Sequence, residues 1–443
     1  MKSLPFTRIA SAILIGALFS APAHADDAAL LQRIDKLAAE LEVLKVELAA
    51  TKKKTEAVEQ KQETMAAAAT PLVASTLPAQ AGVANAELPK QASSGTVVSS
   101  YGEINYSRPK QNSSQAQTDV ARAVIAISHR FDEKTKMVSE FEWEHAVTSK
   151  DDRGESEVEQ LYVEHELRPG MAAKAGLFLI PMGLLNASHE PTAYYGVFRN
   201  FVETAIVPTT WREAGFALSN TFDNGLTLDG GITTGFDLSK WDATSTDGQT
   251  SPLGSIHQEG QLAKSRDLAF HAAANYRGIP GLLVGGAVFT GKAGQGTADF
   301  AANDARVTLW DLHARYNPGK LDLSALYARG TITGTGALNQ TFAGQPTPVP
   351  SLFDGWYLQG AYQLWKNNDY SLTPFVRYER FNTAKAYVAM PAGLGVPAAA
   401  DEKVTTVGAS FKVGEGVVLK ADYQKFQQDT SRDRYNLGVG YSF

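Results

Sequence analysis

The polar residues of this 443-residue chain fall into a few dense groups, and each group suggests a definite chemistry. Ser188, His189 and Glu190 are the residue types of a hydrolytic relay. Three neighbours in sequence are poorly placed for it, because a relay needs side chains that converge in space. Gly286 to Lys292 has the spacing of a phosphate loop, but Ala293 stands where Ser or Thr is required and no helix is expected to follow. There is no cysteine, and the eight histidines are scattered, so neither a thiolate site nor a metal cluster is expected. The residues call for no cofactor and no enzyme. The net charge of -6 does not suggest nucleic-acid binding.

What remains is charge arranged at alternate positions. Glu140, Glu142 and Glu144 alternate with Phe141 and Trp143. Tyr162, Glu164 and Glu166 alternate with Leu161 and Val163. The same spacing sets Arg122 and Arg130 on one face of a segment, and Lys174 on another. Further along, Asp311, His313 and Arg315 share a face, as do Arg377 and Glu379, Lys412, Lys420 and Asp422, and Arg434. A period of two is that of a strand whose successive side chains point to opposite sides. Charges on one side and apolar residues on the other imply a wet face and a lipid face, since a charge at the bilayer midplane costs a few kcal/mol. Walls of charge around a wet interior set ion selectivity. An acidic wall on the third and fourth strands then faces a more basic wall in the C-terminal half.

The elements that would position these residues run from 96 to 443. Sixteen strands are predicted, at 96–107, 119–131, 136–147, 156–168, 172–181, 211–222, 226–237, 266–278, 282–292, 306–317, 321–333, 353–365, 371–383, 403–413, 417–428 and 433–443. Short links carrying Gly, Pro, Asn and Asp alternate with long ones. Outer-membrane barrels have this pattern, with short periplasmic turns and long external loops. Aromatics recur near strand ends, among them Trp143, Tyr276, Tyr316, Trp356, Tyr378 and Phe443, as interfacial girdles require. The fold expected is an all-β transmembrane barrel of about sixteen antiparallel strands, embedded in outer-membrane lipid.

The chain before the barrel reads differently. Lys2 and Arg8, the apolar run Ile9 to Phe19 and Ala23-His24-Ala25 make residues 1–25 an export signal. From Leu30 the spacing alternates four and three through Ile34, Leu37, Leu41, Leu44 and Leu48. That is a heptad seam, so a periplasmic α-helical coiled coil is expected over 26–65. Glu40 with Lys45, Glu47 with Lys52 and Lys54 with Glu59 match in sign for parallel helices. Parallel helices suit a cyclic homotrimer. Residues 66–95, with Pro71, Pro78 and Pro89, form a flexible linker. The stalk is a candidate for contact with the cell wall. A structural anchor or adhesin, with the stalk as its working part, is the alternative to a pore.

Two segments carry a family resemblance. Tyr435, Leu437, Val439, Tyr441 and Phe443 alternate with polar or small residues. This resembles the last strand of bacterial outer-membrane proteins, which ends in Phe and is read by the barrel-assembly machinery. The loop from Pro181 to Thr210 contains Tyr194, Tyr195, Phe198 and Phe201 and is too apolar to float in water. With Gly176 to Leu184 before it and Pro208 to Gly215 after it, it resembles the phosphate-selective porin O and P group among trimeric sixteen-stranded porins. The resemblance implies passive diffusion of small hydrophilic solutes, phosphate or other anions among them, through a pore narrowed by this loop. His189, Glu190, Arg199 and Glu203 are then the candidate constriction residues.

Overall fold

The computed structural model describes Glu42, Lys45 and residues 95–443. Glu42 and Lys45 are helical and ion-paired at 2.8 Å. The rest of the expected signal, coiled coil and linker lies outside the described residues.

Alternation and turn chemistry produce the strands. The first eight are β1 Gly95–Pro109, β2 Gln117–Arg130, β3 Thr135–Glu144, β4 Ser156–Arg168, β5 Met171–Leu179, β6 Arg212–Thr221, β7 Leu226–Thr233 and β8 Ala269–Tyr276. They continue with β9 Leu282–Lys292, β10 Arg306–Tyr316, β11 Leu321–Thr333, β12 Pro350–Tyr362 and the short β13 Trp365–Asn367. The last four are β14 Tyr370–Tyr387, β15 Glu402–Val413, β16 Val417–Phe426 and β17 Arg434–Ser442. Each pairs antiparallel with its neighbours, and β17 pairs with β1, so the sheet closes on itself. β13 only extends the turn before β14. The result is a closed sixteen-stranded antiparallel barrel, which has no open edge.

Five of the predicted tight turns share one device. Gly170, Gly225, Gly281, Gly319 and Gly414 take φ between 71° and 84°, a region that other L-residues enter only with strain. The long links come out at the opposite end of the barrel, between β1 and β2, β3 and β4, and so on around the ring.

The two faces separate as the alternation requires. On β17, Tyr435, Leu437, Val439 and Tyr441 are exposed, while Asn436 and Gly440 are buried. Trp143, Leu161, Val163, Leu312, Leu358 and Val376 likewise stand on the outside. Among the described residues no helix is long and apolar enough to cross a membrane. The interior is filled at one level by the link between β5 and β6, residues 180–211, called loop 3 below. Its Trp211 stacks with Phe236 at 5.2 Å and meets Phe289 edge-on at 4.5 Å, a dry cluster that fixes where the loop leaves the wall.

Candidate pore constriction

Loop 3 is held by the barrel wall on several sides. On β1, Glu103 accepts from Tyr194 Oη at 2.9 Å. On β10, Asp311 accepts from the Gly183 amide at 3.1 Å. On β11, Asp322 accepts from Tyr195 Oη at 3.1 Å. On β14, Glu379 accepts from the Phe201 amide at 2.6 Å. On β16, Asp422 accepts from the Val197 amide at 2.6 Å. On β17, Ser442 Oγ lies 2.8 Å from Thr192 Oγ1. A loop fastened to β1, β10, β11, β14, β16 and β17 must cross the lumen.

Four of the five wall carboxylates that grip the loop are themselves paired with a basic side chain. Arg122 Nε lies 2.9 Å from Glu103, Arg377 Nε lies 3.0 Å from Glu379, and Arg315 donates to both oxygens of Asp322. His313 Nδ1 meets Asp311. A hydrogen bond to a charged group contributes about 1.5–3 kcal/mol, and more is lost if one partner is removed and the other stays buried. The inward charges that the alternation assigns to a wet wall therefore serve largely as clamps.

The remaining predicted residues distribute as follows. Arg122 also donates from Nη2 to the His189 carbonyl at 2.9 Å. His189 is buried, with its Nε2 2.7 Å from Tyr101 Oη. Glu190 is buried beside it. Arg199 is buried and donates to Thr210 Oγ1 at 2.9 Å, and its carbonyl faces Arg377 Nη2 at 3.5 Å. Glu203 accepts from the Leu184 and Leu185 amides at 2.6 and 2.7 Å, from Asn200 Nδ2 at 2.8 Å and from Tyr357 Oη at 2.9 Å. Its carboxylate is thus turned into the loop's own backbone and not across the lumen toward the basic wall, because the tight bend at Gly183 presents two amides that need an acceptor.

Lys420 lies 3.6 Å from the centre of the Tyr194 ring, and Arg434 lies 4.9 Å from that of Phe198, so the aromatics of the loop face wall cations. Lys174 sits 5.4 Å from the Tyr162 ring. Glu164 pairs with Lys136 at 3.0 Å, and Arg130 reaches only the Glu133 carbonyl at the turn end. Glu140 and Glu142 are buried on the inner face of β3, and Arg122 stands 4.0 Å from Glu142.

Two cavities flank loop 3. One of about 140 Å³, at the short-turn end, is lined by Tyr194, Tyr195, Arg315, Lys320, Asp322 and Lys412. The other, of about 1100 Å³, lies toward the long links and includes Glu142, Glu144, Glu157, Arg212 and Glu259. Arg212 holds Glu259 at 3.1 Å. Burial opposes ionisation of Glu259, but the hydrogen bond with His257 and the Arg212 charge outweigh it and keep this carboxyl below its usual range.

Several site residues escape the sequence reading. Tyr101 and Glu103 sit on the inner face of β1, and the alternation with Tyr106 was a usable signal for them. Glu159 had no such signal. A bulge sets Gln160 opposite Glu140 but Val158 opposite Phe141, so Glu159 is the extra residue. Strict alternation from Tyr162 points it at lipid, whereas it is fully buried inside.

No family model matches the chain. An uncharacterised protein of Aquifex aeolicus is 27% identical over 364 residues, covering 80% of this chain and 81% of that protein. Among solved structures, Salmonella typhi OmpF in complex with daunomycin aligns at a TM-score of 0.56 and 13% identity, over 79% of this chain and 98% of that one. A loop L8 deletion mutant of OmpT, an outer membrane protein of Vibrio cholerae, aligns at a TM-score of 0.50 and 11% identity, over 80% of this chain and all of the other. The chain shares its fold with these two solved structures.

Proposed function

We propose that the chain is an outer-membrane porin through which small hydrophilic solutes and ions diffuse passively past loop 3. The observation that carries this reading is the fastening of one loop to β1, β11, β14 and β16 across the interior of a closed barrel. Such a crossing narrows a wet channel while leaving it lined with polar groups, which is what selective diffusion needs. The short turns lie in the periplasm, the long links outside, and the exposed apolar faces of the strands in outer-membrane lipid.

The constriction is formed by loop 3, with His189, Glu190, Arg199 and Glu203 holding its shape. Solutes meet acids first, at Glu142, Glu144 and Glu157, and bases last, at Arg315, Lys320 and Lys412. The basic exit favours phosphate or other small anions. The chain assembles as a homotrimer, residues 26–65 are a candidate for contact with the cell wall, and β17 with Phe443 is read by the barrel-assembly machinery.

Planar-bilayer recording of the purified protein tests this. Discrete conductance steps are expected, with a reversal potential in a salt gradient that favours anions. An absence of steps overturns the pore. A cation preference overturns the anion assignment and leaves the pore standing.

A further inference from the structure

Where loop 3 meets β3 and β4, three buried side chains converge from separate parts of the chain. Glu140, Glu159 and His189 are 1%, 0% and 2% exposed, and one donor atom from each lies within 4.8 Å of the others. We propose that they form a binding site for one divalent transition-metal cation of the zinc class, which pins loop 3 to the wall.

The hydrogen bonds around the cluster carry the inference. His189 Nδ1 lies 3.0 Å from the Asn186 carbonyl oxygen. A carbonyl can only accept, so Nδ1 bears a proton and the neutral ring presents the Nε2 lone pair. Glu159 Oε1 lies 2.9 Å from Nε2, and this fully buried oxygen has no hydrogen-bond donor. Tyr101 Oη stands 2.7 Å from Nε2 and 3.1 Å from Glu159 Oε2, but one hydroxyl proton cannot satisfy both groups. Two acceptors at such a distance need a proton or a metal ion between them.

The nearby cations are engaged elsewhere. Arg122 is held by Glu103, and Arg212 by Glu157 and Glu259. Glu140 is met by the neutral amide of Gln160. One imidazole with two carboxylates is a donor set suited to zinc-class ions. The outer contacts are also those of a metal site, since a ligating histidine donates its other N–H to a carbonyl and a ligating carboxylate is itself hydrogen-bonded. Donors bound at about 2.1 Å stand no more than about 4 Å apart, so side-chain shifts of a fraction of an ångström complete the coordination. Glu142, two residues from Glu140 on the same face of β3, lines the acid-walled cavity toward the long links and gives a cation its approach.

The test uses the full-length protein in detergent, stripped with EDTA and dialysed against micromolar Zn²⁺ or Co²⁺. One equivalent of Zn²⁺ per chain is expected to remain, and Co²⁺ is expected to give visible d–d absorption. Glu159→Gln and His189→Gln, checked for β-sheet by circular dichroism, are each expected to weaken binding at least tenfold. Wild-type protein that retains no metal and shows no Co²⁺ absorption overturns the proposal and leaves a proton between His189 and Glu159. Retention unchanged in both variants overturns it too. Neither readout depends on conduction, so the site and the porin reading fail or stand separately.

Discussion

The backbone amide of Phe201 donates a 2.6 Å hydrogen bond to the carboxylate of Glu379, 178 residues away in sequence. Glu379 is fully buried and also holds Arg377 Nε at 3.0 Å. One side chain thus fixes both a loop and a wall cation, and two rings support it: Phe201 stacks on Phe381 at 5.2 Å.

Glu379→Ala removes that grip and leaves Arg377 buried without its partner. A loss of about 3–5 kcal/mol is expected for breaking a buried pair from one side. Thermal unfolding should record the loss, and single-channel steps should become larger and noisier as the loop swings free.

Gly440 gives a steric test of the same loop. A Cβ placed there would stand 2.4 Å from Pro191 Cβ, so Gly440→Val must push the loop tip off the wall. Overpacking of this kind costs about 1–3 kcal/mol. Higher conductance with a lower unfolding temperature is expected; unchanged conductance would mean that the tip does not limit flow.

Lys412 and Glu144 test the charge of the two mouths. Lys412→Glu should move the reversal potential toward cations, and Glu144→Gln should move it toward anions. Opposite shifts, read in the same salt gradient, are the expected result. High ionic strength should shrink both, because screening lengths fall to about 3 Å at 1 M salt.

Acid should loosen the link that carries Glu259. Its folded-state pKa lies below the ordinary carboxylate value, so the stabilisation is complete above the unfolded pKa of about 4.3 and is lost as pH falls through the folded value. Protease nicking of the 234–268 link should therefore increase in acid below about pH 4. Glu259→Gln should remove that pH dependence and be nicked at neutral pH.

The barrel was legible because its code is local. Turn glycines and a period of two place Arg122, Glu142 and Lys420 inside without knowledge of any partner. Glu159 was not legible, because one extra residue in β4 reverses the phase and nothing in the local sequence marks the bulge. The role of Glu203 was not legible either, since it depends on a bend at Gly183 that brings two amides to one carboxylate. The clamp pairs join residues far apart in the chain. Alternation could place both members of such a pair indoors, but it could not say that they hold a loop.

The tip of loop 3 touches both strands of the seam that closes the ring. Tyr194 is bound to Glu103 on β1, and Thr192 meets Ser442 on β17, while β1 and β17 zip from Tyr101↔Ser442 to Pro109↔Arg434. The two ends of the barrel sequence are therefore bridged from within by its middle. A substitution that parts the loop tip from either strand therefore removes a crosslink between the first and last strands of the ring.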